Sequence, residues 1–287
     1  MTRPALIPAL LSVLLFQGCF QQIAVGSLTG IMEDGFVVLN EEEDLALAGA
    51  SIASNLKLLE SVLRSDPDNR RLLLMACQGY ASYALGFVED SDPARALKFY
   101  RRGFEFGLRL FPAGGAIGKA LRSDPSGLEA ALARASAPDV PAVFWTAVAL
   151  GSAISLDLTS PDALADLPKV ETMMAWVRSE DPGYFHGGAD FFLGTLLGSR
   201  APMFGGDPAA SKAHFDRALG INGGKFLLTY IYYARSYAVQ VQDSALFGSL
   251  LTAVDTASLD VLPAARLSNA VAKRKALLLR EKMNELF

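Results

Sequence analysis

Three observations predict that this chain is all-α, with antiparallel helix pairs and essentially no sheet. Hydrophobic residues make up 51% of the sequence, and Leu and Ala outnumber Val and Ile, which favours helix over strand. Asp-Pro and Ser-Pro pairs recur along the chain, and each ends one helix and begins the next, because proline disfavours a helical backbone at the residue before it. No stretch alternates β-branched or aromatic residues with polar ones.

These proline pairs divide the sequence into about 10–12 helices. In each pair the aspartate or serine can cap the new helix, and proline suits its first turn, where a missing N–H is no loss. The glycine-rich segment from Phe111 to Lys119 predicts an irregular insertion. The predicted helices span residues 43–65, 69–88, 93–111, 125–135, 140–157, 162–179, 185–199, 207–220, 224–241, 243–256 and 263–285.

A repeat with a spacing of 115 residues supports the pairing of these helices. In each copy a small, an aromatic and a small residue share one face of a helix, which lets a neighbouring helix approach closely. This pattern is typical of the tetratricopeptide (TPR) helix pair, here with a longer link, and such pairs stack into a curved array. A chance match between ordinary amphipathic helices is the alternative. The two copies are Gly79, Asp92, Pro93, Ala96, Tyr100, Gly103 and Gly194, Asp207, Pro208, Ser211, Phe215, Ala218.

The composition argues against several classes of function. With 26 basic and 30 acidic residues mixed along the chain and a net charge of -4, the sequence offers no basic stripe for nucleic acid. Its two histidines, His186 and His214, lack the spacing of metal ligands, so no metal site is predicted. No nucleophile constellation is present. We therefore predict that the protein is not an enzyme and has no cofactor and no nucleic-acid partner.

The N-terminus is typical of an exported lipoprotein. Arg3 precedes an apolar stretch, Ala5 to Phe16, that is too short to span a bilayer. The run Leu15-Phe16-Gln17-Gly18-Cys19 resembles a bacterial lipobox, so Cys19 is the predicted lipidation site; a plain secretory signal is the alternative. The predicted domains are a lipoprotein signal peptide at 1–18, a lipid-anchored tether at 19–42 and a single all-helical TPR-like domain at 43–287.

Phe20 and Cys77 support further predictions about the exported protein. Phe20, rather than aspartate, follows Cys19, which favours the outer membrane over the inner membrane for a lipid-anchored protein of the periplasm. Cys77 would then be the remaining thiol, and its Leu-rich helical surroundings predict a buried core residue rather than a nucleophile.

A region rich in rings and glycines, from Gly183 to Gln242, predicts an amphipathic cleft. Buried tyrosines need a partner or a wet cavity for their hydroxyls. Arg235 would bind an acidic head group there, unless it forms a structural pair with Asp190 or Asp243. The alternative for the whole region is that its aromatic residues are core and its polar stripe faces water. The predicted ligand-binding residues are Tyr184, Phe191, Phe192, Phe204, Tyr232, Arg235 and Tyr237.

The final helix carries an apolar face and a basic run. We expect Leu267 and Val271 to pack on the preceding helix pair. The basic run, Lys273 to Lys275, is expected to face solvent or a sister subunit.

From Gly183 onward the sequence resembles the T component (TatT-like) of TPR-associated TRAP transporters, a family of bacterial periplasmic lipoproteins. The resemblance covers most of the mature chain and is weaker before about residue 140. The residues that carry it are Gly187-Gly188-Ala189, Gly205-Gly206-Asp207, Lys212-Ala213, Phe215, Arg217-Ala218-Leu219, Lys225-Phe226-Leu227, Tyr233-Ala234-Arg235, Leu267, Asn269, Ala272-Lys273-Arg274 and Ala276.

The resemblance implies an all-helical TPR-like fold, a lipid anchor in the periplasm and a homotrimer with a central pore. It also implies binding to the periplasmic solute-binding receptor of a TRAP-type (tripartite ATP-independent periplasmic) transporter, with a cleft suited to a hydrophobic small molecule. The alternative function is a TPR scaffold lipoprotein in envelope or outer-membrane assembly with no small-molecule ligand. A secreted hydrolase has no nucleophile to support it.

Overall fold

The computed structural model describes residues 25–287, and the predicted all-α fold is confirmed over that range. Within it, helices account for the regular structure and no strand occurs. The first helix, α1, comprises residues 25–40. The others are α2 (Leu45–Ser65), α3 (Arg70–Tyr83), α4 (Pro93–Arg109), α5 (Ala116–Arg122), α6 (Leu128–Leu132), α7 (Val140–Ser155), α8 (Pro161–Ala165), α9 (Leu167–Glu180), α10 (Tyr184–Gly198), α11 (Pro208–Asn222), α12 (Leu228–Tyr232), α13 (Ser244–Thr256), α14 (Arg266–Glu281) and α15 (Met283–Leu286).

Two of these helices continue as π-helical turns. Helix α3 runs on into a π segment at Ala84–Val88, and α12 runs on into another at Tyr233–Ala238. A π turn accommodates an extra residue within a helix, so it changes which side chains face inward, and such turns are frequent at functional sites.

The capping and packing predicted from the repeat are present in both copies. The Asp92 side chain accepts a hydrogen bond from the Arg95 N–H at 3.0 Å, and the Asp207 side chain accepts one from the Ala210 N–H at 2.9 Å. Tyr100 and Phe215 are fully buried. The copies differ in detail, because Gly194 packs against the Phe215 ring whereas Gly79 faces Leu56 of α2 and Phe36 of α1. A curved TPR array remains a prediction.

The segment predicted as a tether is helical from residue 25 to residue 40 and packs on α3. Thr29 and Met32 are buried, and the Glu33 carboxylate pairs with the Arg71 guanidinium. The glycine-rich insertion also contains a helix, α5, whose Gly118 lies directly against the Pro112 carbonyl. Both differences have one cause, since glycine-rich sequence has low helix propensity but tertiary packing overrides it.

Helix α7 forms the centre of the core. Of the helices described, Ala137–Ser155 is the one long and apolar enough to cross a membrane, and 72% of its most apolar window is buried inside the molecule, as in the core helix of a globular protein. Cys77 is fully buried beside it, as predicted, and burial raises the pKa of its thiol to about 12.

Contacts at glycines show how the helices around α7 run relative to it. Gly103 of α4 lies beside Ala149, and Gly107 lies beside Thr146, so α4 is antiparallel to α7. Gly188 lies beside Phe144, and Gly151 lies beside Phe192, so α10 is parallel to α7. The C-terminal ends of α7 and α10 therefore lie at one end of the molecule, which we call the C-terminal end of α7.

The basic run of α14 does not face solvent in the way the sequence predicted. Lys275 is buried, and its ammonium donates to both oxygens of Asp90 at 2.7 and 2.8 Å. The Arg274 guanidinium donates to the Gly86 carbonyl, within the first π segment. The run instead attaches α14 to the end of α3, because π-helical geometry and the following turn present oxygen acceptors there.

Candidate ligand cavity

A chamber of about 310 Å³ lies between α3, α7, α10, α12 and α14. Both π segments line it, the first through Leu85, Gly86 and Phe87 and the second through Arg235. The volume is at the lower end of the range for small-molecule sites, which is roughly 300–1,000 Å³. Most of its surface is apolar.

Aromatic rings close the chamber at the N-terminal end of α7. The Phe185 ring contacts the Trp145 ring edge-on with centroids 4.8 Å apart, and it meets the Phe226 ring at 5.6 Å in the same manner. Phe144 packs on Trp145 at 5.2 Å. Edge-to-face contacts of this kind fix ring orientation, so this end is a rigid apolar wall.

An unusual backbone holds Phe185 in that wall. Phe185, His186 and Gly187 have φ values of 46, 62 and 81°, three consecutive left-handed residues at the start of α10. The Asn222 side chain donates to the His186 carbonyl at 3.1 Å, and the His186 ring stacks on Phe226 with centroids 4.9 Å apart. Left-handed geometry at non-glycine residues costs of order 1–3 kcal/mol each, so the surrounding contacts maintain it.

Charged groups line the opposite part of the chamber. The Arg235 guanidinium donates to the Glu89 carboxylate at 3.1 Å and lies over the Tyr232 ring at 5.1 Å. The Tyr100 hydroxyl donates to the other Glu89 oxygen at 2.5 Å. Each Glu89 oxygen thereby accepts one hydrogen bond, and the negative charge of Glu89 balances the positive charge of Arg235.

The Tyr232 hydroxyl is buried in this cluster, and no partner for it is found among residues 25–287. Burial raises the pKa of this phenol, and the negative charge of Glu89 raises it further. The hydroxyl is therefore a donor at any physiological pH. Buried polar groups are nearly always hydrogen-bonded, which makes this one a marker of a polar site.

Hydroxyl side chains reach the same part of the chamber. Phe191 of α10 contacts Tyr232 at 5.1 Å, and Gly198 lies beside Tyr237, so α10 and the α12–π helix are parallel. Arg235 therefore lies level with the last two turns of α10. The lining hydroxyls of those turns and of the end of α7 are Thr195, Ser199, Ser152 and Ser155. The chamber thus has an aromatic end and a polar end.

Four of the seven residues predicted to bind a ligand line the chamber: Phe191, Phe192, Tyr232 and Arg235. The other three do not. Tyr184 packs outside it against Phe144, with ring centroids 5.2 Å apart, and Tyr237 packs against Tyr233 at 5.4 Å. Phe204 is exposed at the tip of a turn. Aromatic residues are frequent throughout this segment, so their number alone does not show which of them line the chamber.

The two structural partners considered for Arg235 are both wrong. Asp190 is buried and binds His214 Nδ1 at 2.6 Å and Arg217 Nε at 3.1 Å. The Asp243 side chain caps α13 by accepting from the Leu246 N–H. Glu89 is the partner, and the sequence does not indicate it, because its position at the end of an amphipathic helix is typical of an ordinary solvated carboxylate.

Fold and chamber together define an all-helical protein built around an internal apolar chamber with one polar end. The chain belongs to the TRAP transporter T-component family, whose model matches residues 41–287 and confirms the resemblance found in the sequence. It is thus an accessory component of a transport system associated with the periplasm and cell envelope. A comparison with curated proteins gave no match.

Proposed function

We propose that this chain is the lipid-anchored periplasmic subunit that binds the solute receptor of a TRAP-type transporter and holds a hydrophobic or amphipathic ligand in its chamber. The observation that carries the proposal is the chamber itself, which joins an aromatic end to a polar end within one space. An apolar ligand would gain about 0.8 kcal/mol for each buried methylene group. A scaffold without a ligand would have no need of such a space.

The chemistry of the polar end favours a neutral head group over an acid. Arg235 is already neutralised by Glu89, so a ligand carboxylate would lie beside another carboxylate. The Tyr232 hydroxyl is a donor in need of an acceptor. A hydroxyl, ester or amide oxygen that enters between Tyr232 and Arg235 would give it one, and this replaces the acidic ligand expected from the sequence.

The anchor and the assembly belong to the same proposal. Cys19 lies outside the described residues, and its acylation rests on the lipobox-like run that ends there. Two or three acyl chains on Cys19 would hold the chain stably at the membrane, and Phe20 favours the outer membrane. The homotrimer rests on the resemblance to the family.

A neutral fluorescent probe tests the ligand proposal. Purified full-length protein is titrated with N-phenyl-1-naphthylamine, whose emission rises in apolar surroundings. Ser152→Phe places a ring inside the chamber and is expected to weaken probe binding about tenfold or more, since it removes room for the probe. Ser249→Phe, the same change on the exposed face of α13, should bind like the wild type.

Absence of saturable probe binding in the wild type would favour the scaffold function. Equal binding by both serine variants would place the probe outside the chamber. Thermal unfolding of each variant shows whether Ser152→Phe remains folded at the titration temperature.

A further inference from the structure

A second, smaller cavity of about 50 Å³ adjoins the chamber. It lies between α1, α2, α3 and the start of α14, and we call it the α1 cavity. Because both spaces touch a common set of side chains, a molecule that occupies the chamber lies directly beside the α1 cavity. We call the shared residues the neck: Asn40, Ile52, Gln78, Ser82 and Leu267.

The α1 cavity is apolar. Its surface is almost wholly apolar, and none of the described residues that line it is charged. Cavities of this kind stay empty of water and take up apolar groups. A group the size of a water molecule needs about 10–15 Å³. The α1 cavity therefore has room for roughly three or four such groups, enough for the end of an alkyl chain.

The neck between the two spaces carries no charge. Ile52 and Leu267 supply apolar contacts, and the other three neck residues supply neutral amide and hydroxyl groups. An alkyl chain that crosses the neck therefore meets no ionised group that it would strip of water. The polar end of the chamber differs in this respect, because Glu89 and Arg235 are ionised there.

The far wall of the α1 cavity belongs to the hydrophobic core. Along α2 the lining runs from Ile52 at the neck to the fully buried Leu59, about 10 Å away. Gly79 of α3 is also buried, and a Cβ atom added there would lie 2.9 Å from Leu56 and 3.4 Å from the Phe36 ring. Helices α1, α2 and α3 thus meet too closely at this point for an alkyl chain to extend further.

Helix α1 supplies one side of the α1 cavity through Phe36 and Leu39. It is held against α3 by the ion pair between Glu33 and Arg71 and by the buried side chains of its inner face. Helix α1 precedes the region that the family model matches, residues 41–287. Membership of the family therefore does not by itself include this wall.

We propose that the α1 cavity is a subsite for the end of an unbranched alkyl chain, and that Phe36 and Leu56 limit the chain length that the protein accepts. This rests on the proposed function, because it takes the chamber as the ligand site. The ligand class is then an unbranched aliphatic compound whose neutral oxygen meets Tyr232. A bulky ring system at the far end of a ligand would be too large for a space of about three or four water-sized groups.

A series of 1-alkanols from hexanol to hexadecanol tests the subsite. Full-length protein is loaded with N-phenyl-1-naphthylamine, and each alcohol is titrated as a competitor. Each methylene group that reaches apolar space should strengthen binding roughly fourfold. The affinity should stop rising once the chain meets the far wall, and this chain-length limit is the quantity to compare between variants.

Two variants change the subsite without changing the lining of the chamber, since neither Asn55 nor Phe36 lines the chamber. Asn55→Phe fills the subsite and should shorten the chain-length limit by roughly three carbon atoms. Phe36→Ala enlarges it and should lengthen the limit by roughly two carbon atoms. The matched controls are Asn284→Phe on the exposed face of α15 and Phe104→Ala on α4, which line neither space and should keep the wild-type limit.

The outcomes separate the two proposals. If alcohols displace the probe but both subsite variants keep the wild-type limit, the subsite is wrong while the proposed function stands. If neither the probe nor any alcohol binds the wild type, the proposed function itself fails. The affinity of both subsite variants for phenylnaphthylamine should stay within about twofold of the wild type. A Phe36→Ala variant that loses probe binding would show that α1 shapes the whole chamber, and this would contradict a separate subsite.

Discussion

The Arg235 guanidinium lies 3.1 Å from the carboxylate of Glu89, a residue 146 positions earlier in the chain. Glu89 directly follows the first π segment, and Arg235 belongs to the second. The pair spans the polar end of the chamber, so its loss should affect both stability and ligand binding. A set of variants can separate these effects.

Arg235→Ala should lower the free energy of unfolding by about 2 kcal/mol, because Glu89, whose side chain is only 11% exposed, loses its balancing charge. The double variant Glu89→Gln/Arg235→Ala should recover part of this loss, since no unpaired charge remains. Urea denaturation measures both. Arg134→Ala, which removes an exposed arginine of the turn after α6, is the control and should change stability by less than about 0.5 kcal/mol. A double variant no more stable than Arg235→Ala would contradict this account.

Tyr232→Phe should leave the stability of the free protein within about 0.5 kcal/mol of the wild type, because the hydroxyl that it removes has no partner among the described residues. The same change should weaken binding of a ligand that carries a neutral oxygen, such as a long-chain alcohol. An alkane of equal length should bind both proteins alike. Competition with phenylnaphthylamine gives both affinities, and equal losses for alcohol and alkane would argue against the hydroxyl as a ligand donor.

Gly187→Ala should destabilise the protein by about 1–3 kcal/mol, since its φ of 81° is strained for any residue with a Cβ atom and the new methyl would meet Ala218 and Ile221. Gly220→Ala on α11 is the matched control. That glycine has open space around it and ordinary helical geometry, so alanine should stabilise by about 0.5–1 kcal/mol. Thermal unfolding measures both, and two variants that shift in the same direction would show that the left-handed turn is not rigid.

The Cys77 thiol should resist modification in the native protein at pH 8. It is fully buried, and burial raises its pKa to about 12, so almost no thiolate forms and no reagent reaches it. The contribution of the buried, protonated thiol to the free energy of unfolding is fully present below the ordinary thiol pKa of about 8.5. It is lost as the pH rises toward 12. Reaction with dithiobis(nitrobenzoate) in buffer and in 8 M urea checks this. Rapid native labelling would indicate that α3 opens locally.

Local chemistry made much of the fold predictable. Asp92 and Asp207 cap their helices because an aspartate before a proline needs only its own neighbours to do so. Tyr100 and Phe215 are buried because a helical period places them on the inner face. The concentration of rings around Phe191 and Phe192 predicts them as ligand-binding residues, and both line the chamber, because this signal does not depend on distant contacts.

The remaining features depend on packing between distant segments. Nothing near Glu89 in the sequence indicates a π turn, and without that turn its partner across the chamber cannot be identified. The left-handed backbone at Phe185 and His186 is imposed by Asn222 and Phe226, which lie far along the chain. The sequence predicts Phe204 as a cleft residue although it is exposed, because an aromatic residue at the tip of a turn has the same sequence signature as one in a wall.

The π segment at Ala84–Val88 also determines how the chain would respond to a change in length. Deleting one residue from this segment would let an ordinary α-helix continue to Glu89. Because a π turn accommodates one extra residue within a helix, the side chains that follow would keep nearly the same direction about the helix axis. The same deletion in the α-helical part of α3 would rotate them by roughly 100°, since an α-helix has 3.6 residues per turn. Glu89 would then turn away from both Tyr100 and Arg235, and Asp90 would turn away from Lys275. A one-residue deletion before the π segment would therefore disconnect the C-terminal helix and the chamber in one step, whereas a deletion within the π segment would leave both contacts in place.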